Sequence, residues 1–242
     1  MTGQDWDAVV RGWRETPATS LLRAYSDAAN RRLLERWLPP RAGRVLKTDV
    51  FDEAVAEGLC TFLARRAEAV VAIDASPAAV EAAQRRHPKL DARLADVRAL
   101  PFEDGSFDVV VSTSTLDHFQ ARADIDTALR ELYRVLASGG LAVVTLDNPW
   151  NPLVALRNAL PARPRALVPY YVGPTLGPRA LRAALAGAGF AVEELAAMLH
   201  APRLAVRALR PPLRLLLAAE RLERWPTCYL TGQFVAARAR RR

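Results

Sequence analysis

Four stretches of this chain bring together side chains able to recognise or transform a polar ligand. Asp74, in "AIDASP", follows an apolar run, and a carboxylate placed there can accept from both hydroxyls of an adenosine ribose. Asp96, in "ADVRALPFEDGSFDVVVS", suits an adenine amino group, with Val97 and Leu100 to flank a ring. The segment "STSTLDHF" crowds Ser112, Thr113, Thr115, Asp117 and His118 into a few residues. The fourth stretch, "KTDVFDEAVAEG", mixes Lys47 and Thr48 with Asp49 and Asp52, charges that suit a zwitterion. Each has an ordinary explanation, since an aspartate after a strand is commonly a turn or capping residue. Their order along the chain carries more weight than any one of them.

The elements that must position these groups follow from periodicity. "TPATSLLRAYSDAANRRLLERWLPP" has apolar residues at helical spacing and stops at Pro39 and Pro40, so one or two helices are expected before the core. Then "RVLKT" reads as a strand, "LCTFLARRA" as a helix, "AVVAID" as a strand, and "SPAAVEAAQRRH" as a helix with Ser76 as N-cap and Pro77 in its first turn. "DARLADV" and "FDVVVSTST" read as strands, "DIDTALRELYRVLASGG" as a helix closed by glycine, and "LAVVTLD" as a strand. Such alternation indicates βαβ units on a parallel sheet, whose ligands sit past the carboxyl ends of the strands. A proline-rich, helix-containing insertion follows, then "RALRAALAGAGFAVEELAAM" as helix and strand. Two amphipathic helices divided by Pro211 and Pro212, and a final strand in "YLTGQFVAARARRR", complete the chain.

Composition narrows the class of molecule. The 242 residues are 51% hydrophobic and 25% charged, ordinary for a folded soluble protein, and no apolar run reaches the ~20 residues that span a bilayer. The N-terminus shows no secretory pattern, so a cytoplasmic location is expected. Cys60 and Cys228 form no metal-binding or redox cluster, so no metal is expected. The net charge of +8 is uneven: residues 155–242 hold fifteen Arg against four Glu, or +11, leaving −3 for the rest. That polarity suits either an anionic partner or a solvated basic surface.

The run from "AVVAIDASPAAVEAA" through "ADVRALPFEDGSFDVVVS" to "ALRELYRVLASGGLAVVT" resembles the class I S-adenosylmethionine-dependent methyltransferases, particularly the small-molecule branch. The resemblance covers Arg44 to about Asp147, with Ser138 standing where the family usually has proline. It implies a doubly wound α/β fold, a seven-stranded, mostly parallel sheet of order 3-2-1-4-5-7-6. It also implies one domain: residues 1–42 a helical lid, 43–148 a cofactor-binding core, 149–180 an acceptor cap, and 181–242 the last helices and strands. S-adenosyl-L-methionine is the implied cofactor, with Asp74 and neighbouring Ala75 at the ribose, Asp96 and Val97 at the adenine, and Ser112 in the same crevice. Tyr25 would face the ligand from the lid. The candidate bases are His118 and His200, with Asp117, Tyr170 and Tyr171 as orienting neighbours; His87 reads as a surface residue.

The first turn departs from the family. Members carry acid-x-Gly-x-Gly-x-Gly there because the backbone must approach the methionine closely, whereas "KTDVFDEAVAEG" has only Gly58. Two readings stay open. Either Lys47 pairs with the methionine carboxylate, Asp49 or Asp52 with its ammonium, and Thr48 adds a hydroxyl; or the turn is closed, Lys47 pairs with Asp49 or Asp52, and the protein is a non-catalytic binding or assembly module. The first leads to methyl transfer onto oxygen, nitrogen or carbon of a small, fairly apolar acceptor. A lipid-like acceptor and peripheral membrane contact fit the Leu-rich faces near Trp225, with their flanking arginines. Nucleic acid is not expected as a partner, because the motifs of base-modifying methyltransferases are missing and few aromatics interleave the arginines.

Overall fold

The computed structural model of the protein describes residues 5–159 and 173–242. Two helices come first, α1 (Trp6–Arg11) and α2 (Pro17–Trp37). Thr16 caps α2: its hydroxyl accepts from the Thr19 N–H at 3.2 Å, while Thr19 Oγ1 accepts from the Thr16 N–H at 2.7 Å. Strands and helices then alternate as β1 (Ala42–Lys47), α3 (Phe51–Val55), α4 (Cys60–Ala64), β2 (Ala67–Asp74), α5 (Pro77–Arg86), β3 (Asp91–Leu94), β4 (Phe107–Thr113), α6 (Arg122–Val135) and β5 (Leu136–Asp147). Next come α7 (Pro152–Ala159), α8 (Pro178–Gly187), β6 (Phe190–Met198), α9 (Arg203–Leu209), α10 (Leu213–Ala219), α11 (Cys228–Thr231) and β7 (Phe234–Arg241).

The seven strands form one sheet of order β3-β2-β1-β4-β5-β7-β6, the order that the resemblance implies. β1 to β5 run parallel, and β7 runs antiparallel between β5 and β6. The sheet is buried on both faces because its strands alternate two apolar sets. Val110 of β4, Val144 of β5 and Ala237 of β7 face a core closed by Ile125, Leu129 and Leu132 of α6 and by Leu181 and Leu185 of α8. Val109 and Val111 of β4, Val143 of β5 and Ala236 of β7 face the opposite core, with Leu33, Leu34 and Trp37 of α2, Val206 of α9 and Leu216 of α10. Burial on both sides is what helices over a parallel sheet require.

Two boundaries differ from expectation. Glycine does not close α6: the helix ends at Val135 and the chain enters β5 at once. The pairing jumps from Phe107 opposite Leu136 to Val109 opposite Leu141, so residues 137–140 bulge out, with Gly139 at φ +73°. The glycines thus serve a bulge inside the strand. The start of "YLTGQF" also forms a helical turn, α11, before β7 begins at Phe234.

The consequence for function lies at one edge of the sheet. Asp147 at the end of β5 and Met198 at the end of β6 both sit opposite Phe234 at the start of β7. The carboxyl ends of β1 to β6 therefore share one rim with the amino end of β7.

Candidate active site

A cavity of about 930 Å³ opens along that rim. Its volume lies at the upper end of the range common for small-ligand pockets. Thr48 and Asp49 line it after β1, Asp74 and Ala75 after β2, Asp96 and Val97 after β3. Thr113, Ser114, Thr115 and His118 line it after β4, and Leu199, Gln233 and Phe234 at the β6–β7 end. Among the described non-glycine residues, three have positive φ, and two of these, Ser114 (φ 52°) and Leu199 (φ 59°), line this cavity. Backbone held in that sparsely populated region tends to gather at ligand sites.

The glycine-poor first turn is built by side chains. Lys47 is fully buried, and its Nζ lies 2.9 Å from Glu53 Oε2, 3.3 Å from Asp49 Oδ1 and 2.6 Å from the Asp49 carbonyl. Burial alone would lower the lysine pKa, but Asp49 and Glu53 overrule it and push it well above the usual value. Burial likewise opposes ionisation of Glu53, and Lys47 holds its carboxyl below the usual range. The other Glu53 oxygen accepts from the Leu59 and Cys60 N–H groups at 2.8 and 3.0 Å, anchoring the start of α4. Gly58, at φ +62°, is required here because a Cβ would run into that carboxylate. Glu53 was not singled out from the sequence; its only signal was an acid inside a turn that also held one of two lysines. Lys47, expected to reach a ligand carboxylate, does not line the cavity.

The turn nevertheless leaves the cavity open. Asp49, Phe51 and Asp52 line it, and Asp49 Oδ2 is buried with no hydrogen-bond partner. Burial drives the Asp49 pKa up against the attraction of Lys47. Thr113 Oγ1, also on the lining, is likewise buried without a partner. A buried acceptor and a buried hydroxyl left unsatisfied fit a polar ligand, because such groups are ordinarily paired. Arg23 of α2 lines the same region, forms an ion pair with Asp52, and stacks 5.2 and 5.3 Å from the Trp13 and Phe51 ring centroids. It is a cation that the sequence reading passed over.

Asp74 accepts from the Val50 N–H at 3.0 Å and the Ser76 N–H at 2.9 Å, one on each oxygen. Each oxygen keeps acceptor capacity for a ligand hydroxyl. Burial raises its pKa to about 6, against those two bonds. Asp96 lies in a bidentate pair with Arg98, which also reaches Asp124 at 3.0 Å. Partial burial would raise the Asp96 pKa, but the Arg98 bonds prevail and hold it below the usual range.

At the end of β4, Thr48 Oγ1 bonds Ser112 Oγ at 2.9 Å and Thr115 Oγ1 at 2.8 Å, tying β1 to β4. Ser112 is fully buried beneath the cavity and is not part of its lining. Asp117 is buried as well; it accepts from Ser114 Oγ at 3.1 Å and from the Asp147 N–H at 3.0 Å. It stands 3.7 Å from His118 Nε2, outside hydrogen-bond distance. His118 faces the cavity, and Trp6 of α1 packs edge-on against it with centroids 4.7 Å apart.

The N-terminal helices cover this region. Asp7 of α1 accepts from Ser76 Oγ and from the Ala78 N–H, so α1 is fastened to the amino end of α5. Tyr25 of α2 lines the cavity, but its hydroxyl donates to Glu220 and accepts from the Ala201 N–H at 3.2 Å. Burial and Glu220 push the Tyr25 pKa above its ordinary value. His200 lies away from the lining, held by Thr231 Oγ1 at 2.8 Å and the Ala197 carbonyl at 3.2 Å. Tyr170 and Tyr171 lie outside the described residues. The structure thus brings together Thr48, Asp49, Asp74, Ala75, Asp96, Val97, Tyr25 and His118 at one cavity, and leaves Lys47, Ser112, Asp117 and His200 behind its walls. The N-terminal Trp6, Asp7 and Trp13 also line it, although no ligand role was read for them from the sequence.

Residues 37–144 match the family described as methyltransferase domain. A probable S-adenosylmethionine-dependent methyltransferase of Mycolicibacterium smegmatis is 30% identical over 68% of this chain and 60% of its own length. The chain thus aligns with less than two thirds of that relative. Among solved structures, an S-adenosylmethionine-dependent methyltransferase of Thermotoga maritima covers 92% of both chains with a TM-score of 0.64 at 17% identity. A Streptomyces coelicolor geranyl diphosphate C-methyltransferase, bound to geranyl diphosphate and S-adenosylhomocysteine, covers 89% of this chain and 79% of its own with a TM-score of 0.62 at 17% identity. The segment from the end of α2 into β5 is thus a methyltransferase domain, and the strand order around it is that of the class I S-adenosylmethionine-dependent methyltransferase fold.

Proposed function

We propose that this protein transfers a methyl group from S-adenosylmethionine to a small, fairly apolar acceptor. The observation that carries the reading is the rim cavity itself. Asp74 and Asp96 line it past β2 and β3, and the unsatisfied Asp49 Oδ2 lines it past β1. In this reading Asp74 takes the ribose hydroxyls, Asp96 the adenine amino group with Val97 beside the ring, and Asp49 the ammonium. Arg23 replaces Lys47 as the cation for the carboxylate, since Arg23 reaches the lining and Lys47 does not. When bound, the cofactor supplies an electrophilic methyl on a sulfonium, and the sulfur leaves as a neutral thioether.

The protein's own share is alignment and proton removal. Trp6, Trp13 and Phe51 wall off water on the lid side. His118, packed against Trp6, is the side chain placed to take a proton from the acceptor. Phe234 and Leu199 offer an acceptor apolar surface at the β6–β7 end of the cavity. Among the described residues no helix is long and apolar enough to cross a membrane.

Calorimetric titration with S-adenosylmethionine and S-adenosylhomocysteine tests the reading. Saturable binding that weakens roughly tenfold or more in Asp74→Ala supports it, since hydrogen bonds to a charged group are being removed. If the folded protein binds neither compound, the alternative stands: a methyltransferase-like binding or assembly module.

A further inference from the structure

The cavity has charge at both ends, and the charges differ in sign. Its lining carboxylates come from α1, α3 and the ends of β1, β2 and β3: Asp7, Asp49, Asp52, Asp74 and Asp96, with Asp5 just before α1. Four arginines line it too. Arg23 and Arg98 are each seated against a carboxylate of the acidic end, Asp52 and Asp96. Arg203 and Arg207 come from α9, which follows β6 at the other end of the sheet order.

Three features of this second pair matter. They stand at i and i+4, so both project from one face of α9, the arrangement in which like charges repel. Both are half-buried, whereas Arg210 and Arg214 further along are exposed. And the other described lining residues of the β6–β7 end, Leu199, Gln233 and Phe234, carry no charge. Asp147, at the end of β5, feels Arg203 but is itself paired with Arg157. A guanidinium has five N–H donors, so a contact within the protein leaves donors for a ligand.

We infer that the acceptor bears an anionic group, a carboxylate or a phosphate, held by Arg203 and Arg207 while its apolar body lies along Leu199 and Phe234. This rests on the proposed reading of the acidic end as the cofactor site. Arginine suits the task because its planar fork matches carboxylate and phosphate oxygens in pairs.

The test titrates the full chain, with and without saturating S-adenosylhomocysteine, using three probes of equal chain length: octanoate, octyl phosphate and 1-octanol. The expected result is that one or both anions bind roughly tenfold or more tightly than 1-octanol. The preference disappears in R203Q/R207Q while S-adenosylhomocysteine affinity is unchanged. Whichever anion binds more tightly identifies the group. Equal binding of all three probes, or an anion preference retained in the double variant, overturns the inference. Should the variant fail to fold, salt decides on the unaltered chain: raising ionic strength from about 50 mM to about 500 mM weakens the anions but not 1-octanol, and an unchanged ratio overturns the inference. Failure of the cofactor reading appears separately, as no binding of S-adenosylhomocysteine, while the titration without it still tests the arginines.

Discussion

A lysine with no exposed surface stays ionised only beside a carboxylate, and Lys47 has Glu53 at 2.9 Å, equally buried. Removing one partner leaves the other charge uncompensated, so Lys47→Met should destabilise the protein by about 3–5 kcal/mol in urea unfolding. Lys47→Met combined with Glu53→Gln should lose less than the two single changes together, because neither charge is then stranded; simple additivity would refute the pairing. Asp74 offers a second test. Its folded pKa of about 6 lies above the ordinary carboxylate value, through burial and the nearby Asp49 against the pull of Lys47. Between about pH 4 and pH 6 the native state holds more protons on this group than the unfolded chain does. Its contribution to stability is therefore greatest below that window and falls, by on the order of 2–3 kcal/mol, as pH rises through it. Affinity for S-adenosylhomocysteine should move the opposite way, rising through about pH 6 as the carboxylate ionises to accept the ribose hydroxyls. Asp74→Asn should flatten both profiles, and a slope that survives it would assign the titration to another group.

At the level of elements, α1 lines the acidic end of the cavity through Trp6 and Asp7. Few of its contacts are apolar core contacts: it has no buried residue, and Asp7 fastens it to the amino end of α5 while Trp6 leans on His118. Elements of this kind open at low free energy without global unfolding. Asp7→Ala should raise hydrogen exchange across Trp6–Arg11 and speed release of S-adenosylhomocysteine several-fold, with the urea midpoint nearly unchanged. Exchange and release rates equal to those of the unaltered chain would show that α1 is held by something other than this carboxylate. The adjoining turn shows the opposite strategy. There Glu53 links Lys47, Leu59 and Cys60, and Arg31 of α2 adds a bond to the Gly58 carbonyl at 3.1 Å, so the loop is held rigidly by side chains.

Across the whole molecule, one sheet carries both ends of the cavity, so a ligand at the rim should stabilise the fold as a unit. At a concentration about 100 times its Kd, S-adenosylhomocysteine should add ~2.7 kcal/mol to the free energy of unfolding. Fluorescence and circular dichroism should report the same single shifted transition. Separate transitions, only one of them moved by ligand, would mean that the β6–β7 end folds apart from the rest. The charge polarity of the sequence acquires a location at this scale. Several of the arginines of residues 155–242 lie on β7, α9 and α10, and two of them turn into the cavity.

Sequence alone determined the alternation of strands and helices, the strand order through its resemblance to a family, and the two acids past β2 and β3. Those features are written locally, in periodicity, N-caps and residue spacing, and short-range rules suffice to read them. Ser76 is a clear case, capping α5 through the Ala79 N–H as its position before Pro77 implies. Tertiary structure decided what the charged side chains do. Lys47 turned inward to Glu53, Tyr25 met Glu220 from 195 residues away, and Arg203 and Arg207 came to the rim that Asp74 shares. Pairing of Lys47 with Asp49 was one of the two readings left open, but its Glu53 partner and the other contacts could not be read in advance, because a charge takes as its partner whichever opposite charge the fold brings near after desolvation, and sequence spacing does not record that distance.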